Sequence, residues 1–294
     1  MLNGILVVNK PTDWTSFDVI AKLRGVLKTK KIGHSGTLDP MATGVLPLFV
    51  GPCAKAVDMQ TENTKTYEAG ILFGKKTDTA DIWGQVLEEN NKIIEQEELK
   101  KILPLFIGKC VQIPPMYSAV KVNGVALYKL ARQGVEVKRK EREIEIHSIS
   151  IIKKNNTNEF VLQVKCSKGT YIRTLIEDIA SKLGTIATMN SLIRTQSGVF
   201  TIDKALTLEK IYENVANKQL ENILLSIDEL FLYMNRFDVN EKFKKKLING
   251  ASIKCSLADG DYRAYYKNEF LGIFKVNQNI AKVNKLFIER EGMK

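Results

Sequence analysis

Gly33-His34-Ser35-Gly36-Thr37-Leu38-Asp39-Pro40-Met41-Ala42-Thr43-Gly44 is the densest stretch of a 294-residue chain. Its three glycines allow close backbone approach and unusual φ/ψ. Pro40 biases Asp39 toward an extended backbone, so a carboxylate is presented from a stiffened loop. Taken by itself, the stretch reads as a capped turn before a buried strand, since an Asp-Pro pair in a loop is far more often structural than catalytic. The apolar run at residues 45–50 supplies that strand.

Upstream, residues 4–9 form a short apolar strand closed by the turn Lys10-Pro11-Thr12-Asp13. Thr15 or Ser16 then caps a helix whose Phe17, Ile20, Leu23 and Leu27 recur at helical spacing, as a core-facing stripe does. Lys28, Lys30 and Lys31 end it and suit either a helix C-terminus or phosphate. Downstream, Tyr67, Ala69, Ile71 and Phe73 share one face of a strand, and residues 74–84 make a polar connection. Residues 96–107 read as a helix stopped by Gly108, and Asn123-Gly124 suits a tight hairpin turn. Residues 128–132 make one or two helical turns before Gly134. A strand runs through Ile144 and Ile146, with His147 on its polar face as a surface residue.

Phe160, Leu162, Val164 and Cys166 alternate as a further strand. Ile172, Leu175, Ile176, Ile179 and Leu183 then line one side of a helix that Gly184 stops. Residues 206–225 read as helix again. Past Tyr233 the texture changes to short strands at 250–257, 262–267 and 270–276, a pattern that predicts a small β-barrel. Strands and helices do not alternate regularly, which favours an α+β class over a doubly wound sheet. Two domains are expected, residues 1–232 and 233–294.

Lysine and arginine number 44 against 33 acids, a net charge of +11. A polyanionic partner explains that excess, and so does a lysine-rich proteome. No apolar run reaches the ~20 residues of a membrane span. Residues 1–10 lack the pattern of a signal peptide, so the expected compartment is the cytoplasm. Cys53, Cys110, Cys166 and Cys255 are scattered without Cys-x-x-Cys spacing, which predicts buried reduced thiols rather than disulfides or zinc. The chain has only two histidines, which argues against a catalytic transition metal.

The stretch 33–44 closely resembles the catalytic motif of the TruB family of bacterial pseudouridine synthases. The similarity continues in order through Asn9-Lys10-Pro11, Lys65-Thr66-Tyr67-Glu68 and Thr77-Asp78-Thr79-Ala80-Asp81. It resumes at Pro114-Pro115-Met116-Tyr117-Ser118-Ala119, at Ala131-Arg132-Gln133-Gly134 and at Cys166-Ser167-Lys168-Gly169-Thr170-Tyr171-Ile172-Arg173. Roughly residues 3–200 are covered.

The resemblance implies a mixed, largely antiparallel central sheet with flanking helices. It also implies isomerisation of uridine 55 in the T loop of tRNA, by extruding the nucleotide and without cofactor or metal. Asp39 would be the nucleophile, Arg173 its ionic partner and Tyr67 a stacking platform for uracil. His34, Tyr171 and Leu192 would join Tyr67 in holding the substrate, with Lys10 and Asp81 in support. Plainer readings exist: Tyr67 and Leu192 suit a core, and Arg173 can pair with Glu177 along its helix.

Leu247-Ile248-Asn249-Gly250 and Phe270-Leu271-Gly272-Ile273 are similar to a PUA domain, which would touch the acceptor stem through phosphate and shape. No protein partner is implied. The rival expectations are a non-catalytic RNA-binding or RNA-folding protein of the same fold, and a synthase directed by a guide RNA.

Overall fold

Apolar residues at alternate positions, or in unbroken runs where both faces are covered, build the larger of the two main sheets. The computed structural model describes residues 2–59 and 64–288. Its first strands are β1 (Gly4–Lys10), β2 (Ile32–His34), β3 (Thr43–Val50) and β4 (Lys65–Phe73). A hairpin follows from β5 (Lys75–Thr77) and β6 (Val86–Glu89), then β7 (Gly108–Gln112). A second hairpin joins β8 (Lys121–Val122) to β9 (Val125–Ala126), with Asn123 and Gly124 both at positive φ as a primed turn needs. The long strands β10 (Arg142–Lys154), β11 (Glu159–Cys166) and β12 (Ala187–Ser197) follow, with the short β13 (Phe200–Thr201).

The larger sheet runs β1-β3-β12-β4-β11-β10-β7, with β2 on β3 and β13 on β12. The β3–β12 pair is parallel and the β1–β3, β12–β4, β4–β11 and β11–β10 pairs are antiparallel. The sheet is therefore mixed and largely antiparallel. Its central strand, β12, has no clear alternation in the sequence. Register shifts at Met189/Ser191 and Arg194/Gln196 interrupt the period of two by which strands are recognised.

Helix α1 (Ser16–Val26) starts at Thr15, whose capping box with Asp18 satisfies its first turn. Ser16, Val19, Ile20 and Leu23 are buried against β1 and β3, but Phe17 is 62% exposed, against the expected stripe. The cause is Ser16. Its Oγ accepts from the Leu38 N–H at 2.8 Å and donates to the Leu38 carbonyl at 3.2 Å, which fixes the helix rotation with Ser16 inward. Helix α2 (Gln96–Ile102) is shorter than expected and passes into a 3-10 turn, Leu103–Phe106, with Pro104 in its first turn. After the short α3 (Leu127–Ala131), α4 (Ile172–Lys182) buries Ile172, Leu175, Ile176 and Ile179 on the sheet as its spacing predicts. Helix α5 (Leu208–Ala216) ends well before residue 225, because Lys218 adopts φ 58° and a 3-10 turn, Leu220–Ile223, follows.

The second sheet comprises β14 (Asn235–Asp238), β15 (Ile253–Lys254), β16 (Gly260–Tyr266), β17 (Glu269–Asn277) and β18 (Ile280–Leu286), ordered β14-β16-β17-β18-β15. It is curled and resembles a half-barrel. The strand expected at 250–257 shrinks to two residues, and β14 and helix α6 (Glu241–Ile248) are additions to the expected pattern. One face packs its own core around Leu247, Leu271 and Phe274. From the other, Ile273 and Phe287 join Ile5, Phe49 and Phe231 beneath β1 and β3.

All four cysteines are free. Burial pushes the Cys53 thiol up to about 12 and the Cys166 thiol up to about 11. Cys110 is exposed and Cys255 half-buried, which corrects the expectation of four buried thiols. No helix among the described residues is long and apolar enough to cross a membrane.

Candidate active site

Three strands align one row of residues across the sheet. Gly44 on β3 pairs with Arg194 on β12, which pairs with Tyr67 on β4. Gly44 sits at φ 101°, and a Cβ there would lie 2.3 Å from the Arg194 carbonyl oxygen. Only glycine lets β3 approach β12 so closely. The loop that carries Asp39 ends at this glycine, so the row delivers the loop beside Tyr67.

Asp39 Oδ2 meets Arg173 Nη2 at 3.0 Å, with the Arg173 side chain 5% exposed and that of Asp39 40% exposed. The same guanidinium donates from Nη1 to the Thr79 carbonyl at 3.0 Å and from Nη2 to the Tyr117 carbonyl at 2.8 Å. Three separated segments thus converge on one side chain in the first turn of α4. The helix partner Glu177 is not needed to hold it, and burial raises the Glu177 carboxyl above its usual range.

Two more buried cations hold the Asp39 loop by its backbone. Lys10 Nζ donates to the carbonyls of Pro11 at 2.8 Å, Trp14 at 2.5 Å and Pro40 at 3.0 Å. All three N–H bonds of an ammonium are used, the last on the residue after Asp39. Burial, only partly opposed by Asp39, lowers Lys10 to about 8. Arg194, fully buried, donates from Nε to the Val45 carbonyl at 2.7 Å, from Nη1 to Thr37 at 3.3 Å and from Nη2 to Gly36 at 3.2 Å. Lys65 is also buried and is lowered to about 8, first by burial and then by Arg194. Lys10, Lys65, Arg173 and Arg194 are thus buried around one buried carboxylate, Asp81, and the half-exposed Asp39, with the exposed Asp13 and Asp18 also acting on Lys10.

The remaining expected residues divide between the rim and the floor. His34 Nδ1 accepts the Gly36 N–H at 3.2 Å, and burial followed by the Arg194 charge lowers its pKa. Tyr67 is 7% exposed, and its burial raises the phenol pKa, with Arg194 in hydrogen-bonding reach. Leu192 (8% exposed) packs in one cluster with Tyr67, Leu38 and Met41, as the core reading of Tyr67 and Leu192 expects. Tyr171 is the N-cap residue of α4 and exchanges backbone hydrogen bonds with the Gln112 side chain. Asp81 Oδ1 accepts from Thr79 Oγ1 at 2.8 Å and from the Trp83 N–H at 3.1 Å, which shapes the turn whose Thr79 carbonyl receives Arg173.

Sequence reasoning missed Arg194 and Ser16. A charged residue within an irregular polar strand carries no outward sign of complete burial. Ser16 offered a signal only as a capping candidate, the role that Thr15 takes. Two buried hydroxyls at the site, Ser35 Oγ and Ser118 Oγ, have no protein partner among the described residues.

Known proteins are similar to this chain over nearly its whole length. A family model described as TruB family pseudouridylate synthase (N terminal domain) matches residues 24–172. A second, described as tRNA pseudouridylate synthase B C-terminal domain, matches residues 173–232. A relative named tRNA pseudouridine synthase B, from Clostridium perfringens (strain 13 / Type A), is 43% identical across 98% of this chain and 100% of its own length. One of the same name from Bacillus cytotoxicus is 40% identical across 99% of this chain and 95% of its own. Among solved structures, a Cbf5-Nop10-Gar1 complex superposes with a TM-score of 0.74 at 21% identity, over 98% of this chain and 86% of that one. An H/ACA RNP bound to a substrate RNA containing 2'-deoxyuridine gives 0.72 at 19%, over 98% and 86%. At such identities the likeness is one of fold.

Proposed function

Since the chain belongs to the TruB family of pseudouridylate synthases, we propose that it converts a uridine of tRNA to pseudouridine, at position 55 of the T loop. The family membership and the relatives' names support the tRNA substrate. The observation that carries the chemical reading is the Asp39–Arg173 pair, a half-exposed carboxylate whose partner is buried and already bonded to two carbonyls.

The reaction balances without oxidant or reductant. The C1′–N1 bond breaks, C1′–C5 forms, a proton leaves C5 and one is taken up at N1. Asp39 acts as the nucleophile that assists departure of the base. The uridine is extruded from the RNA, and Tyr67 stacks on it over a floor that includes Leu192, with Tyr171 and His34 at its edges. Arg173 holds and aims the carboxylate in a site dried by the bound base. Lys10 and Asp81 act through the backbone they hold. Residues 233–294 serve as a PUA-like unit that reaches the acceptor stem, and residues 1–232 carry the chemistry.

The test is tritium release from tRNA labelled at uridine C5, since C5 gives up its hydrogen only on joining C1′. Release is expected from tRNA alone and not when position 55 is cytidine. Release that persists with cytidine 55 would move the target elsewhere. A requirement for added guide RNA, or binding without any release, would favour the two rival readings respectively.

A further inference from the structure

Phe17 belongs to the core by its helical spacing, yet it is 62% exposed while its neighbours Ser16, Val19 and Ile20 are buried. Isolated exposed apolar residues are ordinary. This one differs in being held rigidly at the site. The Thr15–Asp18 capping box fixes the turn that bears it, and the paired hydrogen bonds between Ser16 and Leu38 tie that turn to the residue before Asp39. Its ring stands edge-on to His34, with centroids 5.6 Å apart and planes at 88°. The contact orients the ring and leaves most of it open to solvent.

The geometry points to Phe17 as the stacking contact for an unpaired nucleobase next to the uridine that enters the Asp39 pocket. This rests on the function proposed above. Extruding a nucleotide removes a stacking partner from its neighbours, and a fixed exposed aromatic replaces it without regard to base identity. The buried cations of the site attract phosphate but offer no face to a base. Ser35 Oγ, one residue from His34, adds an unpartnered hydroxyl beside the same loop.

The experiment is a double-mutant cycle between protein and RNA, with binding measured in an Asp39→Asn background to prevent turnover. T-arm stem-loops carry an abasic nucleotide at each loop position flanking the target uridine. Phe17→Ala is expected to weaken Kd for the intact stem-loop roughly tenfold, within the ~5–150-fold range of base–aromatic stacking. For one abasic RNA it should have no further effect. Phe17→Tyr should bind as wild type does. The slope of log Kd against log salt should not change, because no phosphate contact is lost. Thermal melting should stay within ~1 °C, as for a solvent-exposed side chain.

An unchanged Kd, or losses that add at every loop position, would overturn the assignment. So would a fall in the single-turnover rate at saturating RNA with Kd intact, which would make Phe17 a buttress for His34. Wild-type tritium release is measured alongside. A chain that binds the stem-loop but releases nothing would sink the catalytic reading and leave the cycle to judge Phe17.

Discussion

Beneath the Asp39 loop lie Lys10, Lys65, Arg173 and Arg194, each at most 7% exposed. In the C-terminal sheet no charged side chain among the described residues is buried, and the core is Leu247, Ile253, Leu271, Phe274 and similar residues. Its ion pairs, such as Arg236–Asp238 at 2.7 Å and Lys244–Glu269 at 3.7 Å, lie at the surface. Burying a charge costs several kcal/mol, and an apolar side chain of like volume would stabilise more. Charges retained in such places are best explained by the geometry they impose, here on backbone carbonyls around one carboxylate. Substitutions in the first region should therefore act on rate, and those in the second on stability.

Asp39→Asn should have the largest effect. It keeps the shape and removes the proposed nucleophile, so single-turnover tritium release should fall by at least ~10³-fold with tRNA affinity within several-fold of wild type. A tenth of the wild-type rate would refute the assignment. Arg173→Ala comes next, because it strands Asp39 and also leaves the Thr79 and Tyr117 carbonyls unpaired. Breaking such a pair typically costs ~3–5 kcal/mol, a rate loss of hundreds-fold or more if felt mainly in the transition state. Arg173→Lys should rescue only in part, lacking the planar fork. Near-normal rates for Arg173→Ala, with melts as a folding control, would return it to the helix surface.

Lys10 gives a smaller effect in which rate and stability move in opposite directions. Its pKa falls from 10.5 to about 8 on folding, so between those values the unfolded chain holds the proton more tightly. Unfolding then takes up a proton, and the stability contributed at this site rises with pH across the window, by on the order of 2 kcal/mol. A neutral amine keeps two N–H bonds for three carbonyls, so the rate should fall about fivefold as pH passes 8. Denaturant melts from pH 7.5 to 10 compare wild type with Lys10→Met. A variant with the same pH slope would show that Lys10 does not titrate there.

The smallest effect on rate is expected for Leu271→Ala in the C-terminal core. It should cost ~2–5 kcal/mol of stability. At temperatures where the variant stays folded, release from a T-arm stem-loop should lie within about twofold of wild type. A rate loss comparable to that of Arg173→Ala would end the division between the two regions.

What could be read in advance follows the range of the interactions. The α4 stripe, the Tyr67-to-Phe73 alternation, the Asn123-Gly124 turn and the α+β class rest on neighbours a few residues apart, and all are present. The motif order was enough to single out Asp39 and Arg173. Strand β12 escaped because its bulges break the local period, and the end of α5 because nothing near Lys218 announces a left-handed residue.

The sequence by itself determined the class of fold, the family and the loop on which the carboxylate stands. Tertiary structure alone decided which backbone carbonyls Lys10 and Arg173 reach, that Arg194 joins them, and which aromatic stands open beside the loop. Lys10 reaches an acceptor 30 residues away, Arg173 one 94 away and Arg194 one 158 away. A hydrogen bond to a distant carbonyl does not depend on the identity of the residue that bears it. No pattern of side chains records it, and only the register of β3, β12 and β4 brings donor and acceptor together.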